Sequence, residues 1–565
     1  MQLKTTFLTA FFFSIFMYSQ DIPQDYFRNP LDIEPILSGT FAELRSNHFH
    51  SGIDIKTQQV EGLNVYATAS GHVARIKISP WGYGKAIYIQ HPNGYTTVYA
   101  HLKKFTPKIE AYVKKKQYQK EKFAIELFPK DYELPITKGD IIAFSGNTGG
   151  SGGPHLHYEI RDRKERPMNP MLFGFKVKDH TKPSINGVYA YSMNDTSQVN
   201  HHNDLHKIKL SLTKDGNYIT STVYAYGEIG FGINTYDKQD QAHNKNGVYN
   251  IQSFVNGNPS FELDFRKFSF SESRYLNRLI DYSYFKRKKS RIQKLFKEPN
   301  NPLSIIKNVN EKGLIHLKEG DHVNYVITVT DFKGNKRTIT IPLEGKKMEI
   351  THFKKKTESL HHAFANKETY LENNGKSVYI PKGALYDNQP IIFETKGDTI
   401  EIGDKNIPLH KNITLSFYSD NKFENKDMSK LYVSRLGYKN EPYQYVSTYK
   451  KEGKISGKTK TFGKFTISTD SIGPIITPLN LYKGKWMSKS KYLQIKIVDK
   501  LTGIKKYRAT INGKWILMEY NPKKNKLTYD FNDKVVTEAE HNFKLVVLDN
   551  VGNSSTFETT FYRKY

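Results

Sequence analysis

Apolar and polar positions alternate through the first 175 residues. The runs "LNVYATASGHVARIKIS", "KAIYIQHPNGYTTVYAHL", "DIIAFSGNT" and "HLHYEIRD" carry the two-residue period of strands with one buried face. "HPNGYT" predicts a hairpin, because Asn93-Gly94 suits a tight turn between alternating strands. Two later segments repeat each other: "VTDFKGNKRTI" (residues 329–339) and "VLDNVGNSSTF" (residues 547–557). In both, a strand ends in Asp, a turn carries Gly-Asn and a new strand begins. Asp331, Gly334 and Asn335 correspond to Asp549, Gly552 and Asn553. This is the pattern expected of the last hairpin of an immunoglobulin-like sandwich. Two such sandwiches are predicted, over 183–345 and 472–565, opened by "TKPSINGVYAY" and "IGPIITPLNLY". Inside the first, "SESRYLNRLIDYSYFKRKKSRIQKLF" has helical apolar spacing and a weak Ser-x-x-Arg start, so a helical insertion is expected there. Residues 349–471, containing "SVYIPKGALYDNQPIIF", read as a further β-rich unit whose type the pattern does not name.

The first twenty residues break the alternation. Lys4 is followed by an apolar run over residues 7–17 and then by Ser19 and Gln20. That is the layout of a secretory signal peptide over 1–20, too short to span a bilayer. No other run is long enough, so the mature chain is expected to lack a transmembrane helix. The expected location is exported: periplasm, cell envelope or extracellular.

Composition narrows the picture further. A chain of 565 residues should hold several domains, and 13% aromatic residues argues against disorder. Cysteine is absent, which excludes disulfides and a lipidated cysteine at the cleavage site. Stability outside the cytoplasm must then come from packing or from a metal. Lys and Arg number 85 against 56 Asp and Glu, a net charge of +29. An exported chain of that charge suits anionic envelope polymers better than nucleic acid, and lysines that keep an exported chain soluble are an equal explanation.

The candidate chemistry lies in three clusters. In "GNTGGSGGPHLHYEI", His155 and His157 sit two apart on a predicted strand, so both imidazoles leave by one face and Leu156 and Tyr158 by the other. The glycines before them would let a substrate backbone approach closely. In "HFHSGIDI", His50 and Asp54 are four apart with Gly52 between; both are good zinc ligand types, and His48 competes with His50. In "TTVYAHL", His101 ends a predicted strand. "HHNDLH" (His201, His202, Asp204, His206) and the pair His361 and His362 read as polar surface.

Taken together and in order, "HSGID", "VYATASGHV", "GYGKAIYIQHPNGYTTVYAHL", "GNTGGSGGPHLHYEIR" and "NPMLFGF" resemble the lysostaphin-type (LytM-domain) zinc metallopeptidases over residues 36–175. The resemblance implies a mainly β chain: an antiparallel β-sheet peptidase domain of the duplicated hybrid motif type, here followed by immunoglobulin-like sandwiches. It implies one zinc ion held by His50, Asp54 and His157, with the fourth position left to water. It further implies that His155 and His101 are catalytic, His155 as the general base and His101 orienting water or stabilising the oxyanion, two roles the sequence does not separate. The implied activity is a secreted zinc endopeptidase hydrolysing peptide cross-links of peptidoglycan, in a family whose members cut stem-peptide cross-links or glycine bridges. The alternatives are a non-hydrolytic envelope module that activates other hydrolases, as relatives with lost ligands do, and a surface scaffold. One departure stands out. A basic, partly helical insertion over about 103–138 follows His101, with eight lysines and two acidic residues between positions 103 and 122. It would wall or cover the substrate groove, or form a solvated face.

Overall fold

The computed structural model describes residues 22–354, 361–418, 426–437, 443–451 and 453–564. The expected signal peptide over 1–20 lies outside the described residues. The chain is mainly β, and among the described residues its strands gather around four large hydrophobic cores, with a small fifth cluster of Ala86, Tyr88, Val98 and Ala100.

The first core is enclosed by two layers. The larger sheet contains β1 (Leu37–Gly39), β2 (Ile53–Lys56), β4 (Gly71–Ile78), β5 (Lys85–Gln90), β6 (Thr96–Ala100), β8 (Ile125–Leu127) and β11 (His155–Arg161), in the order β1-β2-β11-β6-β5-β4-β8. The smaller one is β3 (Asn64–Tyr66), β10 (Ile141–Phe144) and β7 (Lys104–Phe105), with β10 central; β9 (Pro135–Ile136) pairs with β4. Between them lie Val65, Val73, Ile87, Tyr99, Ile142 and Tyr158, all at most 1% exposed. Residues 22–35 contribute Phe27 and Leu31 to the same core. The Asn93-Gly94 hairpin joins β5 to β6 as expected, with Gly94 at φ 86°.

The insertion after His101 forms one helix, α1 (Pro107–Lys120). Ile109, Val113 and Gln117 share one face at i, i+4 and i+8 and are buried. Its last turn closes at Glu121, a left-handed residue at φ 46°.

Strands from Ser184 to Gly345 form the second unit, and the repeat-derived hairpin is present as His322–Thr330 paired with Lys336–Gly345. The second copy appears as Glu540–Asp549 paired with Ser554–Tyr562. Each is locked in the same way: Asn335 Nδ2 donates to Asp331 Oδ2 at 2.7 Å, and Asn553 Nδ2 donates to Asp549 Oδ2 at 2.6 Å. Residues 369–469 carry two five-stranded sheets around the third core, and 475–562 carry two four-stranded sheets around the fourth. The expected helical insertion is broken. Short helices at Leu276–Leu279 and Tyr282–Lys288 flank Ile280, which is extended and bridges to Gln293. Asp281 restarts the helix by accepting from Tyr284 N at 2.8 Å. Among the described residues no helix is long and apolar enough to cross a membrane.

The second core does not stop at the second unit. Phe41, Ala42 and Phe49, from the loop between β1 and β2, are buried in it. Phe49 packs on Phe268 with ring centroids 5.4 Å apart, and its backbone N–H donates to Ser273 Oγ at 2.9 Å. The loop that carries His50 is therefore built on the neighbouring unit.

Candidate metal centre

The register of the larger sheet brings the first two clusters together. β11 lies between β2 and β6, with His157 opposite Asp54 on one side and Ala100 on the other. His101 is the next residue after β6. Leu156, Tyr158 and Ile160 enter the core. His155, His157, Glu159 and Arg161 alternate with them and occupy the opposite face.

Three donor atoms converge on that face. His50 Nε2 is 3.0 Å from Asp54 Oδ1 and 3.0 Å from His157 Nδ1, and His157 Nδ1 is 2.9 Å from Asp54 Oδ1. All three residues are buried. The outer partners hold the far nitrogen of each ring. His50 Nδ1 is 2.7 Å from the Thr40 carbonyl oxygen, which only accepts, so Nδ1 carries the proton. His157 Nε2 is 2.9 Å from Glu159 Oε1 and donates to it. Each ring thus turns its other nitrogen toward the neighbouring ring and toward a carboxylate oxygen. Two imidazole nitrogens and one carboxylate oxygen that all lie within 3.0 Å of one another are a zinc-type donor set. The residues present fit the metal that the resemblance implies.

Electrostatics around the trio agree. Burial alone would raise the Asp54 carboxyl, but the His50 charge and the hydrogen bonds from His155, His157 and His50 hold it well below the usual carboxylate range. Its second oxygen accepts from Arg45 Nη2 at 3.1 Å. Burial lowers His157, yet Asp54 and Glu159 overcome that and push it up to about 9. Any metal therefore competes with protons for this nitrogen.

Two further imidazoles stand beside the trio. His155 Nδ1 donates to Gly153 O at 2.9 Å, which leaves Nε2 as its lone pair, 3.5 Å from Asp54 Oδ1. His101 Nδ1 donates to Thr148 O at 2.8 Å, and its ring centroid is 4.8 Å from that of His155. His101 has φ 59°, a left-handed conformation that costs a non-glycine residue about 1 kcal/mol or more and aims its ring back at the site. Burial, then the His157 and His155 charges, push its pKa down to about 3, so the ring is neutral. His48 lies outside the cluster and contacts Ser46 O.

Sequence reasoning missed Glu159. It is fully buried and accepts from His157, Ser51 Oγ at 2.6 Å, Tyr83 Oη and Arg161 Nε at 2.7 Å. Burial opposes its charge, but Arg161 and His157 keep its pKa low. The signal was present, since Glu159 and Arg161 continue the alternation of "HLHYEIR".

The glycine loop serves two purposes. At Gly149 (φ 68°) a Cβ would sit 2.3 Å from Gly82 O and from Gly84 N, so this glycine lets two loops interlock. At Gly152 and Gly153 a Cβ would meet nothing within 4 Å, so that part of the loop is open to an incoming chain. The rest of the mouth is shared between units. Lys85 Nζ bonds Glu519 Oε1 at 2.8 Å, Lys523 Nζ bonds Asn147 O at 2.6 Å, and Tyr118 of α1 donates to Asp533 Oδ2 at 2.6 Å. Lys114 also pairs with Asp533. The basic insertion is thus not wholly a solvated face; it docks the last unit.

Fold and geometry define a class: a β-sheet protein whose His-Asp-His trio is arranged as a metallopeptidase arranges its ligands. Comparison with known proteins names the family. Residues 48–118 match the model of Peptidase family M23, and the first unit is an M23 (LytM-type) domain. Residues 361–470 match a Zu5-like domain. The DD-carboxypeptidase/endopeptidase Mpg of Neisseria meningitidis is 36% identical over 139 residues, 25% of this chain and 26% of that protein. The peptidoglycan DD-endopeptidase ShyA of Vibrio cholerae is 35% identical over 122 residues, 22% of each chain. The chain thus spans about a quarter of the length of the curated relatives it matches. Among solved structures, a zinc-containing peptidase from Vibrio cholerae aligns over 26% of this chain and 40% of that one, at 27% identity and a TM-score of 0.19.

Proposed function

We propose that this chain is an exported zinc-dependent endopeptidase that hydrolyses peptide cross-links of peptidoglycan. The observation that carries the reading is the convergence of His50 Nε2, His157 Nδ1 and Asp54 Oδ1, all within 3.0 Å of one another. His50, Asp54 and His157 would hold one zinc ion. Bound there, zinc supplies Lewis acidity and brings the pKa of a water to near neutrality.

The chain's own residues do the rest. His155, protonated on Nδ1 by its bond to Gly153 O, keeps a free Nε2 to take a proton from water and return it to the leaving amine. His101, neutral and held through Thr148 O, presents Nε2 toward the same space and orients water or the developing oxyanion. Glu159 fixes the His157 ring and is itself held by Arg161, Tyr83 and Ser51. Beside the centre runs a groove of about 450 Å³ lined by Arg75, Lys77, Arg161, Trp81, Tyr88 and Phe270. Arg75 and Arg161 are paired with Glu126 and Glu159, so Lys77 and the aromatic wall are what suit a peptide with a free carboxylate. The names of the Mpg and ShyA relatives support the substrate class.

In the same reading, residues 1–20 are a signal peptide and the chain acts in the periplasm, cell envelope or outside the cell. The units over 183–345 and 472–565 are immunoglobulin-like sandwiches, and its lysines favour anionic envelope polymers. The test is mass spectrometry of soluble products after zinc-loaded protein meets isolated peptidoglycan. New amino ends that vanish with chelator are expected. Zinc-loaded protein that releases no peptide from any cross-link type would defeat the proposal.

A further inference from the structure

A second cluster of metal-ligand type lies away from the peptidase centre. Asp179 comes from the connection between the first two units. Asp237 follows the strand Val223–Tyr236, and Asp331 follows His322–Thr330. All three are buried, and each offers an oxygen within 4.8 Å of the others. Three carboxylates that close inside a protein repel one another strongly.

Hydrogen bonds account for two of them. Asp331 accepts from Asn335 N at 2.9 Å and from Asn335 Nδ2 at 2.7 Å. Asp179 accepts from Thr181 N at 3.0 Å, and its carbonyl accepts from Asn335 Nδ2 at 3.2 Å. Asp237 is different. It is 4% exposed and shares a side-chain hydrogen bond with Asp179, and its Oδ1 has no partner of its own among the described residues. The neighbouring charges that act on it most are Asp179 and Asp331, both of its own sign. A buried oxygen left this way costs free energy unless something positive reaches it. Space is available: a cavity of about 30 Å³ is lined by Asp179 and Asp237, with Asn169, Gln239 and Lys333 also on its wall. That is room for a single ion or water.

We propose that Asp179, Asp237 and Asp331 form a calcium site that locks the junction between the peptidase domain and the second unit. The donors are all oxygen, which selects a hard cation over zinc. Thr40, Phe41 and Gly247 line the same cavity. Thr40 Oγ1 accepts from Gly247 N at 2.9 Å, and Thr40 O receives the His50 ring. The ion would therefore brace the loop that carries His50, in a protein without a single disulfide. A related trio, Asp470, Asp499 and Asp549, recurs where the chain enters the last unit, with Asp499 and Asp549 inside it. There Asp470 Oδ2 accepts from Thr502 Oγ1, and Asp549 accepts from Val551 N and Asn553 N. Among the described residues none of its oxygens is orphaned, and it serves as the contrast.

The test is calorimetric titration of calcium chloride into the full-length chain, stripped of divalent ions and reloaded with zinc, alongside thermal unfolding. Wild type should show saturable binding, with a transition raised by about 5 °C at a hundredfold excess over Kd. Asp237→Asn and Asp179→Asn should lose both effects, while Asp549→Asn keeps them. Asp237→Asn relieves repulsion, so without calcium it should unfold no earlier than wild type. Wild type that binds no calcium at millimolar concentration would show that a shared proton balances the trio, and would overturn the proposal. Binding unchanged in Asp237→Asn, or binding of magnesium alone, would overturn it too. These readouts do not depend on peptidase activity.

Discussion

Replacing Phe49 with Ala tests whether the second unit shapes the metal centre. Phe49 is 1% exposed, packs on Phe268 and immediately precedes His50. Removing a buried phenyl ring costs about 3–5 kcal/mol where the cavity cannot collapse. Phe231→Ala removes an equally buried ring from the same core, stacked on Tyr325 at 4.5 Å, on a strand with no site residue. The two variants should lose similar thermal stability. They should differ in zinc affinity, read at low temperature by competition with a chromogenic chelator. Phe49→Ala frees the loop whose Thr40 carbonyl holds the His50 ring, and losing such outer-shell support typically weakens metal binding about 10–100-fold. Phe231→Ala should bind zinc as wild type does. Equal zinc affinity in the two variants would refute the argument that the neighbouring core positions His50.

Asp54→Ala and His157→Ala should lose zinc outright, whereas His155→Ala should keep zinc, by elemental analysis, and lose turnover; a His155→Ala protein that digests wall at the wild-type rate would remove His155 from the chemistry. Glu159→Gln should weaken zinc by about 10–100-fold without removing a ligand, because His157 loses its charged acceptor. A pH effect follows from His91, which is 2% exposed and has both ring nitrogens engaged, by Ser70 O at 2.9 Å and Thr97 Oγ1 at 2.8 Å. Burial pushes its pKa down to about 4, against about 6.5 in an unfolded chain. Between those values the unfolded chain binds a proton that the folded one refuses. Stability should fall as pH drops through that window, by up to about 3 kcal/mol, and denaturant titrations of His91→Gln should show a flatter profile.

Much of the centre was legible because it obeys a local rule. The two-residue period of "HLHYEIR" fixes one face for His155 and His157, and the fold delivers it. The same rule reaches Glu159 and Arg161, but a reading that looks for ligands stops at the histidines. His50 and Asp54 were legible as ligand types, whereas their support was not. The bond from Thr40 to Gly247 spans 207 residues and leaves no trace in local pattern. The helical insertion shows the opposite failure. Its apolar spacing is real, yet the bridge from Ile280 to Gln293 and the cap at Asp281 divide it, as tertiary contact overrides propensity. Likewise the lysine-rich insertion reads locally as a solvated surface, and only the arrival of Asp533, 419 residues after Lys114, turns it into an interface.

These long-range contacts change what a truncation means. Removing residues 183–565 to separate catalysis from targeting would expose Phe41 and Phe49 and sever the Thr40–Gly247 bonds. It would also take Phe270 from the groove wall. Loss of activity would then report a collapsed His50 loop rather than a missing targeting unit. Ending the chain before residue 472 is a different perturbation. The last unit touches the peptidase domain mainly through polar pairs (Glu519 on Lys85, Asp533 on Lys114 and Tyr118, Lys523 on Asn147 and Arg508 on Glu121), with one aromatic contact, Trp515 on Tyr118 at 5.2 Å. Water replaces such partners at modest cost once both sides are exposed. The metal ligands, their outer-shell partners and the proposed calcium trio all lie before residue 350. Of the contacts that surround the centre, the truncation therefore removes those at the glycine-loop mouth and leaves the His50 loop on its core, so it isolates what the last unit does to substrate entry.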